Sequence, residues 1–157
     1  MIIRAMTAKD RPALLKMIHT TPEFNDMDSI VAMEVIDDYL ADPENSGYSN
    51  LVAEVDSKIA GYICYGQNTM TKGTWDIYWL AVAPDMQNRH IGGHLMALAE
   101  KNIQAAGGKL IILEVSSLPI NDKTHKFHLR GGYKYLFTIE DFYGPGDDKV
   151  LYEKRFP

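Results

Sequence analysis

The feature that most restricts the fold is a strand, a helix and a second strand in succession across residues 75–115. Residues 75–82 are mostly apolar and end at Pro84, and a near-continuous apolar run fills residues 110–115. Between them, apolar residues recur at helical spacing until Gly107 and Gly108: Ile91, Leu95, Leu98, Ala99 and Ile103. A strand–helix–strand unit of this kind is a crossover, so we predict that its two strands are parallel.

Shorter periodic segments surround this unit. Thr7, Asp10 and Pro12 open a predicted first helix, residues 20–28 are rich in turn residues, and Asp56-Ser57-Lys58 connects a predicted hairpin. The remaining predicted elements are strands at 2–5, 50–55, 59–65, 133–139 and 149–156, and helices at 30–40 and 121–130. Without a repeat or linker, the 157 residues predict one domain, residues 1–157, of the α+β class with a mixed sheet.

Composition and charge narrow the functional classes. Apolar residues make up 46% of the chain, as in a folded globular protein. The net charge of −5 disfavours nucleic acid and anionic membranes as partners and mildly favours cationic ones. The single cysteine, Cys64, is predicted to be a buried structural thiol, which fits a reducing compartment. No signal-like start and no run of about 18 apolar residues occurs, so a cytoplasmic location is expected.

Two adjacent glycines, Gly92 and Gly93, stand at the start of the predicted central helix. Together they cost about 2 kcal/mol of helix propensity relative to alanine, so a compensating role is expected. A helix N-terminus offers unpaired amides and partial positive charge, to which a phosphate group binds, and Arg89 adds a full charge. The alternative is close packing of the helix on a neighbouring strand. The segment matches neither the P-loop nor the GxGxxG pattern.

The turn before this helix resembles the acyl-CoA loop of the GNAT superfamily of N-acetyltransferases. Residues 87–92, QNRHIG, fit the family pattern except that His90 stands where the first glycine is usual. The resemblance implies that backbone amides of this loop bind the pyrophosphate of the acyl donor and that the preceding strand orients its pantetheine and thioester. The implied cofactor-binding residues are Leu80, Ala81, Val82, Gln87, Asn88, Arg89, His90, Ile91, Gly92 and Gly93.

A second family pattern occurs downstream, at residues 121–133. Asn121 and Phe127 keep the family spacing and are two further implied cofactor contacts, whereas Thr124 replaces an alanine and His128 a tyrosine. The resemblance covers residues 2–156 and is sharpest over 74–133. It implies a GNAT-like mixed central sheet flanked by helices, with a V-shaped splay between two parallel central strands. It also implies acetyl-CoA as the acyl donor and an amine as the acceptor.

Acyl transfer to an amine needs a base, because an amine with a pKa of about 10.4 is protonated at neutral pH. Asp76 is the first candidate, either as general base or as an anchor for a cationic substrate. Strand alternation predicts that Asp76 and Leu80 lie on the same face. Glu114 is the second candidate base, unless it faces solvent at the end of its strand.

The leaving thiolate needs a proton, for which a protonated His128 is the candidate donor. Otherwise His128 packs on its helix or contacts the cofactor, and a phenol of Tyr133, Tyr135 or Tyr143 donates instead. The three candidate catalytic residues are therefore Asp76, His128 and Glu114. We expect a primary amine, on a small molecule or a peptide, to attack the thioester directly in a ternary complex.

The acceptor site and two alternative functions stay open. Trp75, Tyr78 and Trp79 are predicted to line the acceptor site together with the acidic 143–148 loop, unless the aromatics pack in the core. Exposed edge strands make a homodimer plausible. The substitutions His90 and His128 allow a CoA-binding sensor that lacks turnover. The His90/His94 and His125/His128 pairs allow a metal-dependent hydrolase, but the glutamate of the zincin pattern is absent, so we predict no metal site.

Overall fold

The structure is a computed structural model that describes all residues, 1–157. The strands are β1 (Ile2–Ala5), β2 (Ser49–Val55), β3 (Lys58–Gln67), β4 (Thr74–Val82), β5 (Leu110–Ser116), β6 (Lys134–Gly144) and β7 (Asp147–Arg155). The helices are α1 (Arg11–Thr20), α2 (Asp26–Ala41), α3 (Ile91–Ala105) and α4 (Asp122–Arg130). Every predicted strand and helix is present. No helix combines the length and the apolar character that crossing a bilayer requires.

All seven strands form one sheet in the order β1-β2-β3-β4-β5-β7-β6. Only β4 and β5 are parallel, and their pairing runs from Thr74 opposite Leu110 to Ile77 opposite Leu113. Beyond that point β4 continues to Val82 and β5 to Ser116 without pairing to each other. The sheet therefore opens between its two parallel strands, which confirms the predicted mixed sheet with a V-shaped splay.

Both faces of the sheet are covered by helices. On one face, α1 and α2 pack on β2, β3 and β4 through a cluster that includes Leu14, Ile18, Ile36, Val52, Tyr62, Cys64 and Ala81. On the other face, α3 packs through a cluster that includes Ile91, Leu95, Ala99, Ile103, Ile63, Ile77, Ile111 and Leu113. Cys64 is fully buried in the first cluster, as predicted, and burial raises the pKa of its thiol.

Helix α2 begins at Asp26, four residues before the predicted start. The Asn25 side chain accepts a hydrogen bond from the Asp28 amide at 2.8 Å, and the Asp28 carboxylate accepts one from the Asn25 amide at 3.0 Å. This reciprocal capping box satisfies two amides that would otherwise lack partners. The interpretation of residues 20–28 as turn is therefore wrong from residue 26 onwards.

A β-bulge in β4 changes which side chains share a face. Tyr65 of β3 lies opposite Ile77, but the preceding Cys64 lies opposite Trp79, so Tyr78 is an additional residue in β4. As a result, Ile77 and Leu80 both pack in the α3 cluster. The prediction that Asp76 and Leu80 lie on the same face is wrong, because one inserted residue reverses the alternation.

Candidate active site

A cleft of about 1530 Å³ lies where β4 and β5 separate. Its walls are the ends of these two strands, the first turn of α3, α4 and the connection between α1 and α2. The predicted site residues that line it are Asp76, Leu80, Ala81, Val82, Gln87, Asn88, His90, Ile91, Gly92, Gly93, Glu114, Asn121, Phe127 and His128. Arg89 lies outside this lining, and its guanidinium donates to the Met86 sulfur at 2.9 Å.

The turn before α3 presents free backbone amides to the cleft. The first hydrogen bond within the helix runs from the His94 amide to the His90 carbonyl at 3.1 Å, so the amides of Ile91, Gly92 and Gly93 have no acceptor within the helix. His90 has a φ of 61°, the left-handed conformation that glycine adopts most readily and histidine tolerates. This backbone geometry, together with the helix dipole, suits an anionic group.

Packing inside the protein does not require the two glycines. A Cβ atom on Gly92 would lie 3.4 Å from Phe127 and 3.6 Å from Val82, which is ordinary contact, and a Cβ on Gly93 would meet nothing within 4 Å. The close approach of α3 to the sheet depends on Gly61 instead. Its Cβ would lie 3.0 Å from the Ala81 carbonyl oxygen and 3.1 Å from the Ile91 side chain. Sequence reasoning missed this residue, although a glycine inside a strand is a signal of close approach.

The separated strand ends leave backbone groups of β4 available. Residues 80–82 pair with β3 on one side, whereas their other side faces the opening and has no partner strand. The Gln87 side chain donates to the Val82 carbonyl at 3.4 Å. An extended molecule that carries amide groups can pair with such a free edge in the way a peptide does.

The two predicted carboxylates differ in their surroundings. Asp76 is half-buried, and desolvation raises its pKa, while Asn68 and the charge of Lys149 act in the opposite direction. Glu114 forms an ion pair with Lys149, and its side chain is 46% exposed. Burial therefore gives Asp76 a stronger tendency to take up a proton than an ordinary aspartate has.

His128 is only 5% exposed, and its Nδ1 atom has no hydrogen-bond partner. The rings of Phe127 and Tyr133 contact its ring edge-on, with centroid distances of 5.1 and 5.7 Å. Burial, with a smaller effect of His125, lowers its pKa to about 4. The prediction of a protonated imidazole is therefore wrong at neutral pH, where this ring is uncharged.

The candidate phenols occupy different places. Tyr133 donates to Glu100 at 3.0 Å, and burial with the Glu100 charge raises its pKa. Tyr135 is exposed and bonds Thr138. Tyr143 lines the cleft, where burial, with Asp147 and Asp28 nearby, raises its pKa to about 12. Only Tyr143 of the three reaches the cleft as a proton donor.

Two of the three predicted acceptor-site aromatics line the cleft. Tyr78 lines the cleft. Its pKa is raised to about 12, mainly by burial and additionally by the nearby charge of Asp76. Sequence reasoning did not identify it as a proton donor. Trp79 also lines the cleft and contacts Phe24 edge-on. Trp75 lies outside the lining and packs on the α3 cluster, so the alternative of core packing holds for this residue.

One member of the second histidine pair, His125, positions α4. His125 Nε2 lies 2.9 Å from the Ser116 carbonyl oxygen, to which it can only donate, so Nδ1 accepts from the Tyr152 hydroxyl at 2.5 Å. These bonds attach α4 to the end of β5 and to β7. The structure contains no group of three or more His, Cys, Asp or Glu side chains placed to hold a metal ion.

A mixed sheet that opens between two parallel strands, beside a helix terminus with free amides, is the architecture that the resemblance to acyl-CoA-dependent N-acetyltransferases implied. The sequence model of the acetyltransferase (GNAT) family matches residues 14–133, and the chain belongs to this family. The acyl donor of the family is acetyl-CoA.

Individual relatives agree with this assignment. An uncharacterized N-acetyltransferase of Methanocaldococcus jannaschii is 31% identical over 107 residues, which cover 68% of this chain and 65% of the relative, less than two thirds of its length. The crystal structure of a GNAT-family protein from Desulfovibrio desulfuricans has 32% identity and a TM-score of 0.93, with 98% of each chain covered. An aminoglycoside 6′-N-acetyltransferase complexed with coenzyme A shares the fold at 18% identity, with a TM-score of 0.81 over 100% of this chain and 98% of that one.

Proposed function

We propose that the protein is an acetyl-CoA-dependent N-acetyltransferase in which residues 1–157 act as one domain. The observation that carries this proposal is the opening between β4 and β5, with the free amides of the α3 first turn lining it. Strands from both ends of the chain belong to the one sheet, which supports a single domain. A primary amine, on a small molecule or a peptide, is the acceptor.

The donor is held by backbone groups on both sides of the turn. The pyrophosphate binds the amides of residues 87–93, where Gly92 and Gly93 leave the backbone accessible and Arg89 adds positive charge. The pantetheine arm extends along Leu80, Ala81 and Val82 as an additional strand would. Asn121, which is buried and precedes α4, and Phe127 of α4, whose ring borders Gly92, contact the donor.

The transfer exchanges one C–S bond for one C–N bond. The amine nitrogen attacks the thioester carbonyl, the CoA thiolate leaves, and one proton passes from the amine to solvent or a base while another reaches the thiolate. Asp76 takes the proton or holds the cationic amine, and Glu114, which is paired with Lys149, is the second candidate. The thiolate requires little help, since a thiol pKa is about 8.5. His128 as a neutral N–H donor, Tyr78 or Tyr143 can supply that proton.

The test is the thermal shift caused by acetyl-CoA. At about a hundredfold excess over the dissociation constant, binding adds about 2.7 kcal/mol, which raises the Tm by roughly 5–10 °C for a domain of this size. Gly92→Glu places a carboxylate at the proposed pyrophosphate position and should abolish the shift. Gly92→Ala is the matched control, because its Cβ makes only ordinary contacts. An unchanged shift in Gly92→Glu contradicts the pyrophosphate site.

A second function, a CoA-binding sensor that lacks turnover, is favoured by one observation. His128 stands where the family tyrosine is usual, and its buried ring is uncharged at neutral pH. The sensor predicts a full thermal shift with acetyl-CoA but no release of free thiol with any amine. Release of thiol with polyamines, aminoglycosides or peptide amines eliminates the sensor and establishes the enzyme.

A further inference from the structure

The charges that line the cleft are separated by sign. On α4 the charged lining residues are all cations: Lys123, Lys126 and Arg130. On the other walls the only cation is Lys149, which already forms an ion pair with Glu114. Four further carboxylates line these walls, and we call them the acidic wall: Glu23, Asp28, Asp76 and Asp147. The polyanionic acyl donor complements the cations of α4, so the acidic wall is left for the acceptor.

The carboxylates of the acidic wall have no cationic partner within the chain. None of the ion pairs in the structure includes any of the four. All four residues are partly buried, and the Oε2 atom of Glu23 is fully enclosed without a hydrogen-bond partner. Partly buried negative charges without partners cost free energy, and they repel one another. A cationic ligand in the cleft supplies the missing partners.

The acidic wall offers two positions, each beside a tyrosine. At the first, Asp76 lies close enough to Tyr78 for its charge to add to the effect of burial, which raises the pKa of the phenol. At the second, burial raises the pKa of Tyr143, and the charges of Asp147 and Asp28 add to the effect. Asp147 belongs to β7 and Asp28 to α2, so two distant segments bring negative charge to one phenol. Two acidic positions in one cleft fit a ligand with two positive charges.

Aromatic and apolar side chains line the same part of the cleft. Phe24 contacts Trp79 edge-on with ring centroids 5.4 Å apart, Tyr48 contacts Tyr78 in the same way at 5.5 Å, and Val31 of α2 also lines the cleft. Such surfaces pack against methylene groups, and aromatic faces attract ammonium groups. The hydroxyl groups of a sugar or the amides of a peptide would lose hydrogen bonds to water there. The lining therefore favours an aliphatic chain between the charges.

We propose that the acceptor is a diamine or polyamine, an aliphatic chain that carries at least two ammonium groups. This inference rests on the proposed acetyltransferase function and names the class of its acceptor. The reacting nitrogen lies at Asp76. The second ammonium group lies between Asp28 and Asp147, with Tyr143 beside it, so the leaving thiolate takes its proton from one of the other candidate donors.

The first test is thiol release at saturating acetyl-CoA with amines of matched length. Putrescine and cadaverine should exceed butylamine and pentylamine roughly tenfold or more in kcat/KM, because a monoamine lacks the charge-assisted hydrogen bonds of the second ammonium group. The presence of two reacting nitrogens in a diamine accounts for only a doubling. Amino alcohols of the same length are the matched control and should behave like the monoamines. Equal kcat/KM for diamines and monoamines overturns the inference and leaves the acetyltransferase function intact.

Two variants test the second ammonium position. Asp28→Asn and Asp147→Asn should each lower the diamine-to-monoamine ratio of kcat/KM roughly tenfold. An asparagine at position 28 keeps an oxygen that can accept from the Asn25 amide, so the cap of α2 is retained. Glu34→Gln is the matched control, because Glu34 is exposed on the same helix outside the cleft, and it should keep the wild-type ratio. A wild-type ratio in both aspartate variants overturns the assignment.

Salt dependence tests the same contact in the wild-type protein, if either variant fails to fold. The Debye length falls from about 10 Å at ~0.1 M salt to about 3 Å at ~1 M. The advantage of putrescine over butylamine should therefore shrink severalfold across this range, whereas the ratio of the amino alcohol to butylamine should stay constant. An advantage of putrescine that salt does not reduce contradicts recognition of its second charge.

Calorimetry distinguishes failure of this inference from failure of the proposed function. Absence of thiol release with every amine contradicts the proposed function, and the acidic wall is then tested by titrating the CoA-bound protein with putrescine and with butylamine. Putrescine should bind at least ~tenfold more tightly, because only putrescine reaches both acidic positions with a positive charge. Equal binding of the two amines, or binding of neither, overturns the inference.

Discussion

Asp76 combines burial with a nearby cation at the base of the cleft. Desolvation raises the pKa of its carboxyl group, and Lys149 limits that rise. Lys149 also forms an ion pair with Glu114, so its charge acts on both candidate carboxylates. The balance leaves Asp76 as a base that is stronger than an ordinary aspartate, which suits proton removal from a bound amine.

Asp76→Asn should lower the turnover number with little change in acetyl-CoA affinity. Its effect on stability follows from the raised pKa: the protonated form favours folding, and that contribution is lost as pH rises through the folded-state value. The variant should therefore gain stability relative to wild type between acidic and neutral pH. Urea unfolding across this range and thiol release at saturating acetyl-CoA measure both effects. Wild-type turnover would remove Asp76 from the mechanism.

Residue identities indicated which side chains belong to the cleft but not their ionisation. Asp76, Gly92 and Phe127 could be assigned from the family position of a carboxylate, a helix start and family spacing, respectively. The uncharged state of His128 and the ion pair of Glu114 depend on segments far away in sequence, such as Lys149 on β7. Burial and charge partners of this kind exist only after the strands have assembled.

At the scale of elements, Gly61 of β3 lets α3 lie close to the sheet. A Cβ there would approach the Ala81 carbonyl and the side chains of Ile91 and Leu95 at 3.0–3.1 Å. Since α3 also carries the free amides, its distance from the sheet sets their position relative to β4. Packing of α3 thus depends on a glycine in β3, whereas the proposed ligand site uses glycines in α3 itself.

Gly61→Ala should destabilise the protein by about 1–3 kcal/mol, because the helix or the strand must shift to make room. Gly93→Ala is the matched control: it has no neighbour within 4 Å and should gain up to about 1 kcal/mol of helix propensity. Denaturant unfolding of the two variants measures the difference. Equal stabilities would show that α3 does not depend on Gly61.

Hydrophobic periodicity was sufficient to find the strands and helices, and less informative about their details. The start of α2 was missed because Asn25 and Asp28 favour turns as well as capping boxes, and only the reciprocal bonds distinguish the two. The bulge at Tyr78 was not predicted, because a bulge arises from the pairing register of β4 with β3. The sequence of β4 alone contains no pattern that indicates it.

At the scale of the whole molecule, the burial of His128 links folding to pH. It is held between neighbouring aromatic rings, and its folded-state pKa of about 4 lies below the ordinary value of about 6.5. A depressed histidine pKa contributes stability above the unfolded-state value, and that contribution is lost as pH falls towards the folded-state value. At neutral pH the lowered pKa of His128 corresponds to a contribution of about 3 kcal/mol to the pH dependence of the free energy of unfolding.

His128→Phe should remove much of the loss of stability between about pH 6.5 and pH 4, because a phenyl ring fits the same aromatic contacts without taking up a proton. Thermal melts at several pH values measure the effect. His94→Phe, at an exposed position, serves as the control and should keep the wild-type acid profile. An identical profile in both variants would show that another group controls acid unfolding.

The sequence by itself determined the order of the elements, the parallel crossover and the glycine turn at its helix. Each of these follows from local periodicity and from the conformations that glycine and proline permit. Only the tertiary structure decided where β4 and β5 part, which face Asp76 occupies, that His128 is uncharged and that β6 is left exposed. These properties depend on register, burial and distant charges, which arise when segments far apart in the chain pack together.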